Sequence, residues 1–477
     1  MDRNNIIAEI VEAKKRDAQK LGFTFGCNVP QQRTRKINPF MVQKGVILEI
    51  KRASPSKGDI APELNPAETA CLYKQNGTSS ISCLTERNYF KGSLDDLMKV
   101  CEAVPDVAVL RKDFLIEEEE IDIAYRCGAD AVLLIAGILS LEKLRSMTAK
   151  CSKLGIRALV EVRTVEDAEK VLEVKKDFVD TIVCGVNSRN LKDFTIDLLV
   201  PAMLKNKLGG NVIFESGIET PEAAAHIAAM GFTGILLGEF AVRNPQKAGD
   251  FIQSFSSTGE NNYGKMLLRL AKKIDLRSEQ KPLVKICGLT RKEDVLLADS
   301  FGADFVGFVF ADGFTRNVCG KRFDAIKDCL SAVKAFKVAV VTDPHSSEAK
   351  TASELVKNGI LDMIQFHGIK YEDVPSEMLG IPHYFAVTSK LNIEENLVRS
   401  LVKYGEPRIL QDCRTHSYNK ALPLWIAGGI VPENAAELVE QFHPELVDVS
   451  SGIEDADSVG IKNPEKMKQF FANLKRI

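Results

Sequence analysis

Short apolar, β-branched segments alternate along the chain with longer segments whose apolar residues recur at helical spacing. In the first half, eight such strand candidates follow one another at intervals of roughly 25 to 30 residues. The predicted strands are 46–50, 80–84, 107–110, 131–135, 158–162, 181–186, 212–214 and 234–237. An amphipathic helix over residues 3–20 is predicted to precede them. This order indicates a (β/α)8 barrel, although the period alone also allows an open doubly wound sheet.

The same pattern restarts at residue 283 and continues to the end of the chain. Eight further strand candidates lie at 284–286, 305–310, 338–341, 363–366, 384–387, 409–410, 424–427 and 447–449. The sixth and seventh of them are too close together for an ordinary helical crossover, which needs about a dozen residues or more. We therefore predict an α/β protein of two tandem (β/α)8 TIM barrels, the second with a shortened or missing sixth helix.

A short polar segment separates the two patterns. Residues 254–262 are rich in serine, glycine and asparagine, which is typical of a domain boundary. Residues 263–276 again have helical periodicity and predict a connecting helix. We therefore expect a first domain at 1–255, a linker with its helix at 256–281 and a second domain at 282–477.

Charged and amide side chains stand at the ends of the predicted strands in the first half. Lys112, Glu161, Asn187 and Glu215 each lie at or just beyond such an end. In a barrel all of these ends converge on one mouth, where active sites lie, so the residues favour the barrel over the open sheet. Any one of them taken alone could instead form an ion pair that stabilises the barrel.

Two further features point to a charged, phosphorylated ligand. Glu49 and Lys51 share one face of a strand that is otherwise apolar, so they must be paired or must serve a site. The pairs Ser216-Gly217 and Gly238-Glu239 fall in the seventh and eighth loops, where barrels hold phosphate, although a glycine at a strand end is also a common turn residue. No G-x-G-x-x-G follows the first strand, which argues against a dinucleotide site.

Composition excludes several classes of partner. The 477 residues include 63 basic and 65 acidic side chains, and this balance gives no basic surface for nucleic acid. No apolar run approaches the roughly 18 residues of a membrane span, and the first residues lack a secretory signal. The eleven cysteines form no C-x-x-C pair or Cys/His cluster, which argues against structural zinc and suits a reducing compartment. We expect a cytoplasmic monomer that acts on small molecules.

Sequence blocks at the strand ends of the first half resemble those of the indole-3-glycerol phosphate synthase family. The blocks are 47–58, 84–86, 89–93, 110–114, 159–162, 185–191 and 215–218. The resemblance implies a decarboxylating ring closure of a carboxyphenylamino-deoxyribulose phosphate. Lys112 would be the general acid that protonates the substrate ketone, and Glu161 the acid/base group of the later proton removal and dehydration. The supporting catalytic residues would be Glu49, Lys51, Asn187 and Glu215, and the substrate contacts Ser54, Arg189, Ser216, Gly217, Gly238 and Glu239.

The second half resembles the phosphoribosylanthranilate isomerase family. The matching blocks are 284–290, 302–310, 365–368, 427–434 and 447–454. The resemblance implies an Amadori rearrangement in which Cys287 is the general base, Asp412 the general acid and Arg316 the holder of the anthranilate carboxylate. The other substrate contacts would be His367, Gly428, Gly429, Ser450, Ser451 and Gly452. Together the halves resemble the bifunctional enzymes of tryptophan biosynthesis and imply no metal or organic cofactor.

One segment departs from the isomerase pattern. After Asp412 the family's glycine-rich segment ending in Phe-Asp-Trp is absent, and residues 413–420 lead almost directly to the seventh strand. An active synthase with a non-catalytic, structural second barrel therefore stays open as an alternative. A protein that binds phosphorylated ligands without catalysis is a second alternative. The acidic run 117–120 is expected to be a solvated face at the start of a helix.

Overall fold

The computed structural model describes residues 6–190, 196–257, 261–276, 281–388, 406–419 and 423–475. The chain divides into two compact units, Met1–Gly264 and Lys265–Ile477. Each unit contains a closed barrel of eight parallel strands. The predicted fold class of two tandem (β/α)8 barrels is therefore confirmed, while the finer domain boundaries at 255 and 282 stay predictions.

The strands of the first barrel are buried on both faces. They are β1 (Gly45–Ile50), β2 (Ser80–Leu84), β3 (Ala108–Lys112), β4 (Ala131–Ile135), β5 (Arg157–Val162), β6 (Ile182–Asn187), β7 (Val212–Glu215) and β8 (Gly234–Leu237). β1 pairs in parallel with both β2 and β8, which closes the barrel. All six residues of β1 are buried, as expected for a parallel strand between a core and a layer of helices. This double burial is why the strands read as continuous apolar runs.

An apolar cluster that includes Ile47, Leu110, Leu159 and Ile213 fills the first barrel. Side chains two residues further along a strand point to the same side. The next inward position on each of these strands therefore lies at the carboxyl-end mouth of the barrel. The residues at these positions are Glu49, Lys112, Glu161 and Glu215.

Ten helices of the first unit are described. They are α1 (Ile6–Leu21), α2 (Pro66–Gln75), α3 (Leu94–Ala103), α4 (Glu119–Arg126), α5 (Leu141–Leu154), α6 (Val165–Lys175), α7 (Val200–Leu208), α8 (Pro221–Ala229), α9 (Glu239–Arg243) and α10 (Ala248–Ser256). Several begin at side-chain caps: Ser93 caps α3, and Thr164 forms a reciprocal capping box with Asp167 at α6. A short antiparallel hairpin, Ala53–Ser54 with Gly58–Asp59, follows β1 and was not predicted.

The second barrel repeats the plan with shorter connections. Its strands are β9 (Leu283–Ile286), β10 (Phe305–Val309), β11 (Phe336–Val341), β12 (Met363–His367), β13 (His383–Thr388), β14 (Ile409–Asp412), β15 (Trp425–Ala427) and β16 (Leu446–Val449). The described helices of this half are α11 (Asn262–Leu276), α12 (Lys292–Phe301), α13 (Lys321–Lys327), α14 (Ser347–Lys357), α15 (Ser376–Leu379), α16 (Ala435–Phe442) and α17 (Pro464–Lys475). Helix α11 overlaps the predicted connecting helix at 263–276.

The crossover between β14 and β15 lacks a helix within its described residues, 413–419 and 423–424, as predicted. A side chain holds this connection instead. The Gln411 amide donates to the Asn419 carbonyl at 2.8 Å and accepts from the Asn419 N–H at 2.7 Å. The Tyr418 hydroxyl donates to the Ala427 carbonyl on β15 at 3.1 Å. These bonds replace the packing that a helix would provide and keep the carboxyl end of β14 in place.

The expectation that the acidic run 117–120 is a solvated face is wrong for its last member. Glu120 is fully buried at the start of α4. Its carboxylate lies 2.6 Å from the Lys14 ammonium of α1 and accepts from the Ile116 N–H at 2.9 Å. The run predicts a helix start correctly, but sequence spacing alone does not reveal that a buried cation from another helix meets Glu120.

Candidate active sites

Lys112 is the central cation at the mouth of the first barrel. Its ammonium lies 2.9 Å from a carboxylate oxygen of Glu215 and 3.5 Å from one of Glu49. Burial alone would lower the pKa of Lys112, but the carboxylates of Glu215, Glu49 and Glu161 outweigh burial and raise it above its ordinary value. Lys112 is therefore a protonated acid that faces the open end of the barrel.

Glu49 and Lys51 form the charged pair that their spacing predicts. The Lys51 ammonium lies 2.6 Å from Glu49 Oε1, and Glu49 is 4% exposed. Burial opposes ionisation of Glu49, but Lys51 and Lys112 together lower its pKa. Gly238 lies directly against this pair, because a Cβ atom there would stand 2.7 Å from both Glu49 Oε1 and the Lys51 nitrogen. The glycine leaves room for the pair at the barrel mouth.

Glu161 differs from Glu49 in its protonation. Burial and the neighbouring carboxylate of Glu215 raise the pKa of Glu161 to about 7, although Lys112 lowers it. The Asn187 amide donates to Glu161 Oε1 at 3.2 Å and so fixes its orientation. Oxygen Oε1 of Glu215 is buried and receives no N–H or O–H donor from the described residues. A carboxyl poised between its two states beside a permanently charged cation is the arrangement that acid/base chemistry needs.

The predicted ligand contacts of the first barrel lie on the loops around this cluster. Ser216 and Gly217 follow β7 with backbone φ angles of 71° and 72°, and the Ser216 carbonyl accepts from Ser188 Oγ at 3.0 Å. A positive φ at Ser216 is backbone strain of the kind that functional loops carry. The Arg189 N–H donates to Asn187 Oδ1 at 2.9 Å, which ties the loop after β6 to the amide that orients Glu161.

Two predicted contacts lie away from the central cluster. The Ser54 hydroxyl stands 3.5 Å from that of Ser56 on the hairpin after β1. Glu239 opens α9 and pairs with Arg243 at 3.1 Å. Among the described contacts neither side chain joins the Lys112 cluster, so their part in binding stays a prediction.

In the second barrel, Cys287 directly follows β9 and is buried. It packs against β10, where Gly307 leaves space for it: a Cβ atom at Gly307 would stand 2.8 Å from the Cys287 sulfur. Burial raises the pKa of the Cys287 thiol, and the neighbouring Lys285 ammonium acts in the opposite direction. Lys285 is thus the group that favours a thiolate at this position.

Asp412 ends β14 and faces the imidazole that ends β12. His367 Nε2 lies 3.7 Å from Asp412 Oδ2. Gly428, with a φ of 93°, makes room for the carboxylate, because a Cβ atom there would stand 2.6 Å from Asp412 Oδ1. The acid predicted from its strand-end position therefore has a defined neighbour on each side.

Arg316 forms a bidentate ion pair with Glu454. Its Nε and Nη2 atoms donate to the two carboxylate oxygens at 3.0 and 2.6 Å. The buried Lys462 ammonium lies 2.6 Å from the same carboxylate and donates to the Ser450 carbonyl at 3.1 Å. Arg316 lies next to the loop after β9, since a Cβ atom on Gly288 would stand 2.6 Å from its Cδ. The predicted carboxylate-binding fork is thus held in place by an acidic partner.

The predicted phosphate loops of the second barrel are the turns after β15 and β16. Gly429 has a φ of 66° and lies next to His416. Ser451 and Gly452 lie in a single 3₁₀ turn, Ser451–Ile453. A Cβ atom on Gly452 would stand 1.9 Å from the Ile430 carbonyl oxygen, so the two turns pack backbone against backbone and only glycine fits.

Four polar residues of the second barrel were missed by the sequence reasoning. The Lys285 ammonium is 2.5 Å from Asp448 Oδ2 and 2.9 Å from Gln365 Oε1, and the Tyr384 hydroxyl donates to the same Gln365 oxygen at 2.7 Å. A signal for them existed. Lys285, Gln365 and Asp448 each lie two residues before a predicted site residue, the same spacing that singled out Glu49 and Lys51.

Comparison with known proteins follows the division into two units. Residues 6–254 match the sequence model of indole-3-glycerol phosphate synthase, and residues 284–473 match that of N-(5'-phosphoribosyl)anthranilate isomerase. The chain belongs to the indole-3-glycerol phosphate synthase family. It carries a synthase-family domain followed by an isomerase-family domain.

Relatives of both kinds are similar to this family member. The indole-3-glycerol phosphate synthase of Oceanobacillus iheyensis is 38% identical over 253 residues, which cover 51% of this chain and 94% of that protein. The multifunctional tryptophan biosynthesis protein of Schizosaccharomyces pombe is 30% identical over 91% of this chain. This chain spans 59% of that protein and 64% of its counterpart in Phanerodontia chrysosporium.

A solved structure is also similar to part of this chain. The phosphoribosyl anthranilate isomerase from Thermotoga maritima is 28% identical, covers 41% of this chain and 100% of its own, and has a TM-score of 0.35. Within the described residues, every helix falls short of the length and apolar character that a membrane span requires.

Proposed function

We propose that this chain catalyses two consecutive steps of L-tryptophan biosynthesis. The second barrel isomerises N-(5-phosphoribosyl)anthranilate to carboxyphenylamino-deoxyribulose 5-phosphate. The first barrel then closes the indole ring with loss of CO₂ and water and forms indole-3-glycerol phosphate. The observation that carries the proposal is the Lys112 cluster, in which one ammonium meets two carboxylates at 2.9 and 3.5 Å at the mouth of a synthase-family barrel.

In the synthase step, Lys112 donates its proton to the substrate ketone as the aromatic carbon attacks. A charged ammonium beside the carbonyl stabilises the alkoxide that develops during ring closure. Decarboxylation then restores the aromatic ring. Glu161, with a pKa of about 7, takes up and returns protons during the later dehydration. Glu49, Lys51, Asn187 and Glu215 keep the two groups in their respective charge states.

In the isomerase step, Asp412 protonates the ribose ring oxygen as the ring opens, and Cys287 removes the proton from the sugar carbon. A thiol must lose its proton to act as a base, and Lys285 is the charge beside Cys287 that favours the thiolate. The glycine-rich turns after β15 and β16 would hold the phosphate on backbone N–H groups. Arg316, fixed by Glu454, would bind the anthranilate carboxylate.

Separate assays of the two reactions test this division of labour. Lys112→Met should lower synthase turnover by about 10²-fold or more, the usual worth of a general acid, and leave isomerase turnover unchanged. Cys287→Ser should do the reverse, because a hydroxyl is a far weaker acid than a thiol. Lys99→Met and Cys71→Ser, both at exposed positions, are the matched controls. Retention of isomerase turnover in Cys287→Ser would refute the base assignment.

A synthase with a purely structural second barrel is the second candidate, favoured by the short connection after Asp412. The discriminating measurement is the loss of anthranilate-type fluorescence when the purified protein is given phosphoribosylanthranilate. No turnover there, with normal synthase activity, would establish this alternative. A ligand-binding protein without catalysis would require Lys112→Met to change affinity and nothing else.

We further infer that the chain works as a cytoplasmic monomer on phosphorylated small molecules, without nucleic acid. The balance of 63 basic and 65 acidic residues supports this inference. Analytical ultracentrifugation should give a mass near the 52.6 kDa of one chain. Cell fractionation should place the protein in the soluble cytoplasmic fraction. A dimer mass would contradict the monomer, and a membrane-bound fraction would contradict the cytoplasmic location.

A further inference from the structure

Gln365 on β12 lies at the centre of a hydrogen-bonded chain inside the second barrel. The residue is 2% exposed. Its Oε1 atom lies 2.9 Å from the Lys285 ammonium and 2.7 Å from the Tyr384 hydroxyl. Its Nε2 atom lies 3.0 Å from His367 Nδ1. Both ends of the amide are therefore engaged by groups on three different strands.

Chemistry fixes the orientation of this amide. An ammonium can only donate hydrogen bonds, so the Gln365 atom that faces Lys285 must be the oxygen. The Asp448 carboxylate, 2.5 Å from the same ammonium, holds Lys285 in its charged form, and its influence and that of Cys287 raise the pKa of Lys285 well above the ordinary value despite burial. A flipped amide would direct an N–H donor at a cation, which the buried site does not allow.

The orientation of Gln365 in turn fixes the proton of His367. Because the amide nitrogen donates, His367 Nδ1 must accept, and a neutral imidazole then carries its proton on Nε2. Burial and the Lys285 charge lower the pKa of His367, while Asp412 and Asp448 act in the opposite direction. The ring is therefore neutral at physiological pH, with its Nε2–H directed toward Asp412 Oδ2 at 3.7 Å.

We propose that Gln365 is a positioning residue that sets the His367 tautomer, so that His367 presents an N–H donor to the general acid Asp412. The 3.7 Å separation is just outside hydrogen-bond range, and a small rotation of either side chain closes it. When Asp412 gives up its proton, the resulting carboxylate gains this hydrogen bond. His367 thus stabilises the charge that develops on the acid, and this role rests on the proposed isomerase function.

The tautomer can be measured directly in the full-length protein. A ¹H–¹⁵N two-bond correlation spectrum of the histidine-labelled chain at pH 8 distinguishes Nε2–H from Nδ1–H rings, and the chain has six histidines to resolve. The resonances absent from His367→Gln identify residue 367. We expect the Nε2–H form. An Nδ1–H ring or a charged imidazolium in the wild type would overturn the proposal, whether or not the protein isomerises its substrate.

Gln365→Glu should reverse the tautomer. A carboxylate at this position has only acceptor oxygens, so His367 Nδ1 must donate in this variant. The single proton of the neutral ring then lies on Nδ1, and Nε2 no longer presents an N–H to Asp412. We expect the Nδ1–H pattern and a lower isomerase turnover. An unchanged near-ultraviolet circular dichroism signal from Trp425, the single tryptophan, which is buried on β15, shows that the second barrel of the variant is folded. If Gln365→Glu fails this control, Gln365→Met replaces it, and a fixed Nε2–H ring in that variant would overturn the role of Gln365.

A matched pair of His367 variants tests the role in turnover. Glutamine reaches the position of Nε2 and keeps an N–H donor there, whereas asparagine reaches only the position of Nδ1. We expect the isomerase kcat of His367→Asn to be about tenfold below that of His367→Gln, roughly the worth of one hydrogen bond to a charged group. A change in KM with no change in kcat, or equal kcat values for the two variants, would contradict the proposal. Absence of isomerase turnover in the wild type would refute the proposed function but not the tautomer.

Discussion

The carboxyl group of Glu161 has a proposed catalytic role and also a cost in stability. Burial and Glu215 raise its pKa to about 7, so the folded protein keeps a proton there that an unfolded chain releases near pH 4.5. Between these two pH values the folded state binds more protons than the unfolded state, so stability falls as pH rises. Above pH 7 the ionised Glu161 lowers the free energy of unfolding by the full amount.

Glu161→Gln should therefore stabilise the protein while it removes synthase turnover. The amide cannot ionise, keeps an oxygen for the Asn187 donor and adds an N–H for Glu215. We expect a gain on the order of 2 kcal/mol at pH 8 and little or none at pH 4.5. Urea unfolding at the two pH values measures it, with the exposed Glu169→Gln as control. An equal effect at both pH values would show that the Glu161 pKa is not raised.

The same residues show why the pattern of sequence can locate a site without assigning its protonation. Glu49, Glu161 and Glu215 are all carboxylates at inward strand ends and look alike in the sequence. The pKa values of Glu49 and Glu161 shift in opposite directions, because Glu49 has two lysines beside it whereas Glu161 has the Glu215 carboxylate as well as Lys112. The charged groups that lie beside each glutamate depend on which strands are neighbours in the barrel. The local sequence around the glutamate does not show which strands these are.

Helix α1 is tied to the strand that carries Lys112. Lys14 is 4% exposed, and its ammonium lies 2.8 Å from Asp113, the residue after Lys112. Asp113 also accepts from Thr85 Oγ1 at 2.6 Å and from the Arg111 guanidinium at 3.1 Å. These contacts involve the residues on both sides of Lys112, so the helix fixes the backbone from which the Lys112 ammonium projects.

Lys14→Met should destabilise the synthase domain and lower its turnover. The substitution leaves the carboxylates of Asp113 and Glu120 buried with Arg111 as their remaining cation, and losing one partner of such a network costs about 3 kcal/mol. Lys15→Met is the matched control, because Lys15 is half exposed and its ion pair with Glu12 is worth little. The measurement is the urea midpoint for loss of synthase activity. Equal midpoints for the two variants would contradict a structural role for Lys14.

Helix α1 also marks the limit of pattern-based reasoning about elements. Its amphipathic spacing predicts the helix, and the structure places it at Ile6–Leu21. The spacing places Lys14 on the same face as Ile7 and Ile10, but it does not reveal Asp113 and Glu120, the partners that neutralise the buried ammonium. The expected solvation of Glu120 failed for the same reason.

The cysteines of both units differ in how far their thiols are buried. All eleven cysteines are free, eight of them buried and only Cys71 exposed. Cys287 is among the buried ones, and burial raises the pKa of its thiol. A thiol that is both inaccessible and protonated reacts slowly with disulfide reagents.

One thiol per chain should therefore react quickly with Ellman's reagent under native conditions. We expect Cys71→Ser to remove this fast phase, and denatured protein to titrate all eleven thiols. Cys27 and Cys319, which are partly buried, should react more slowly. Cys319→Ser is the control that leaves the fast phase intact. A second fast thiol that substrate protects would indicate that Cys287 is more accessible than this structure has it.

The pattern of apolar and charged residues is sufficient to predict the two barrels and the strand ends that hold their candidate sites. Parallel strands buried on both faces must be apolar, so a charged residue such as Glu49 or Lys112 is conspicuous wherever one ends. The missing helix after Asp412 could also be predicted, because the connection there has too few residues for a helical crossover.

Which of these charged groups come into contact depends on the tertiary structure. Lys112 and Glu215 are 103 residues apart, and Lys285 and Asp448 are 163 apart. Closure of each barrel and the register of its strands bring such residues within hydrogen-bond distance. These long-range contacts set the orientation of the Gln365 amide, the position of the His367 proton and the raised pKa of Glu161. Contacts between strands that are distant in the chain leave no periodic signal in the sequence.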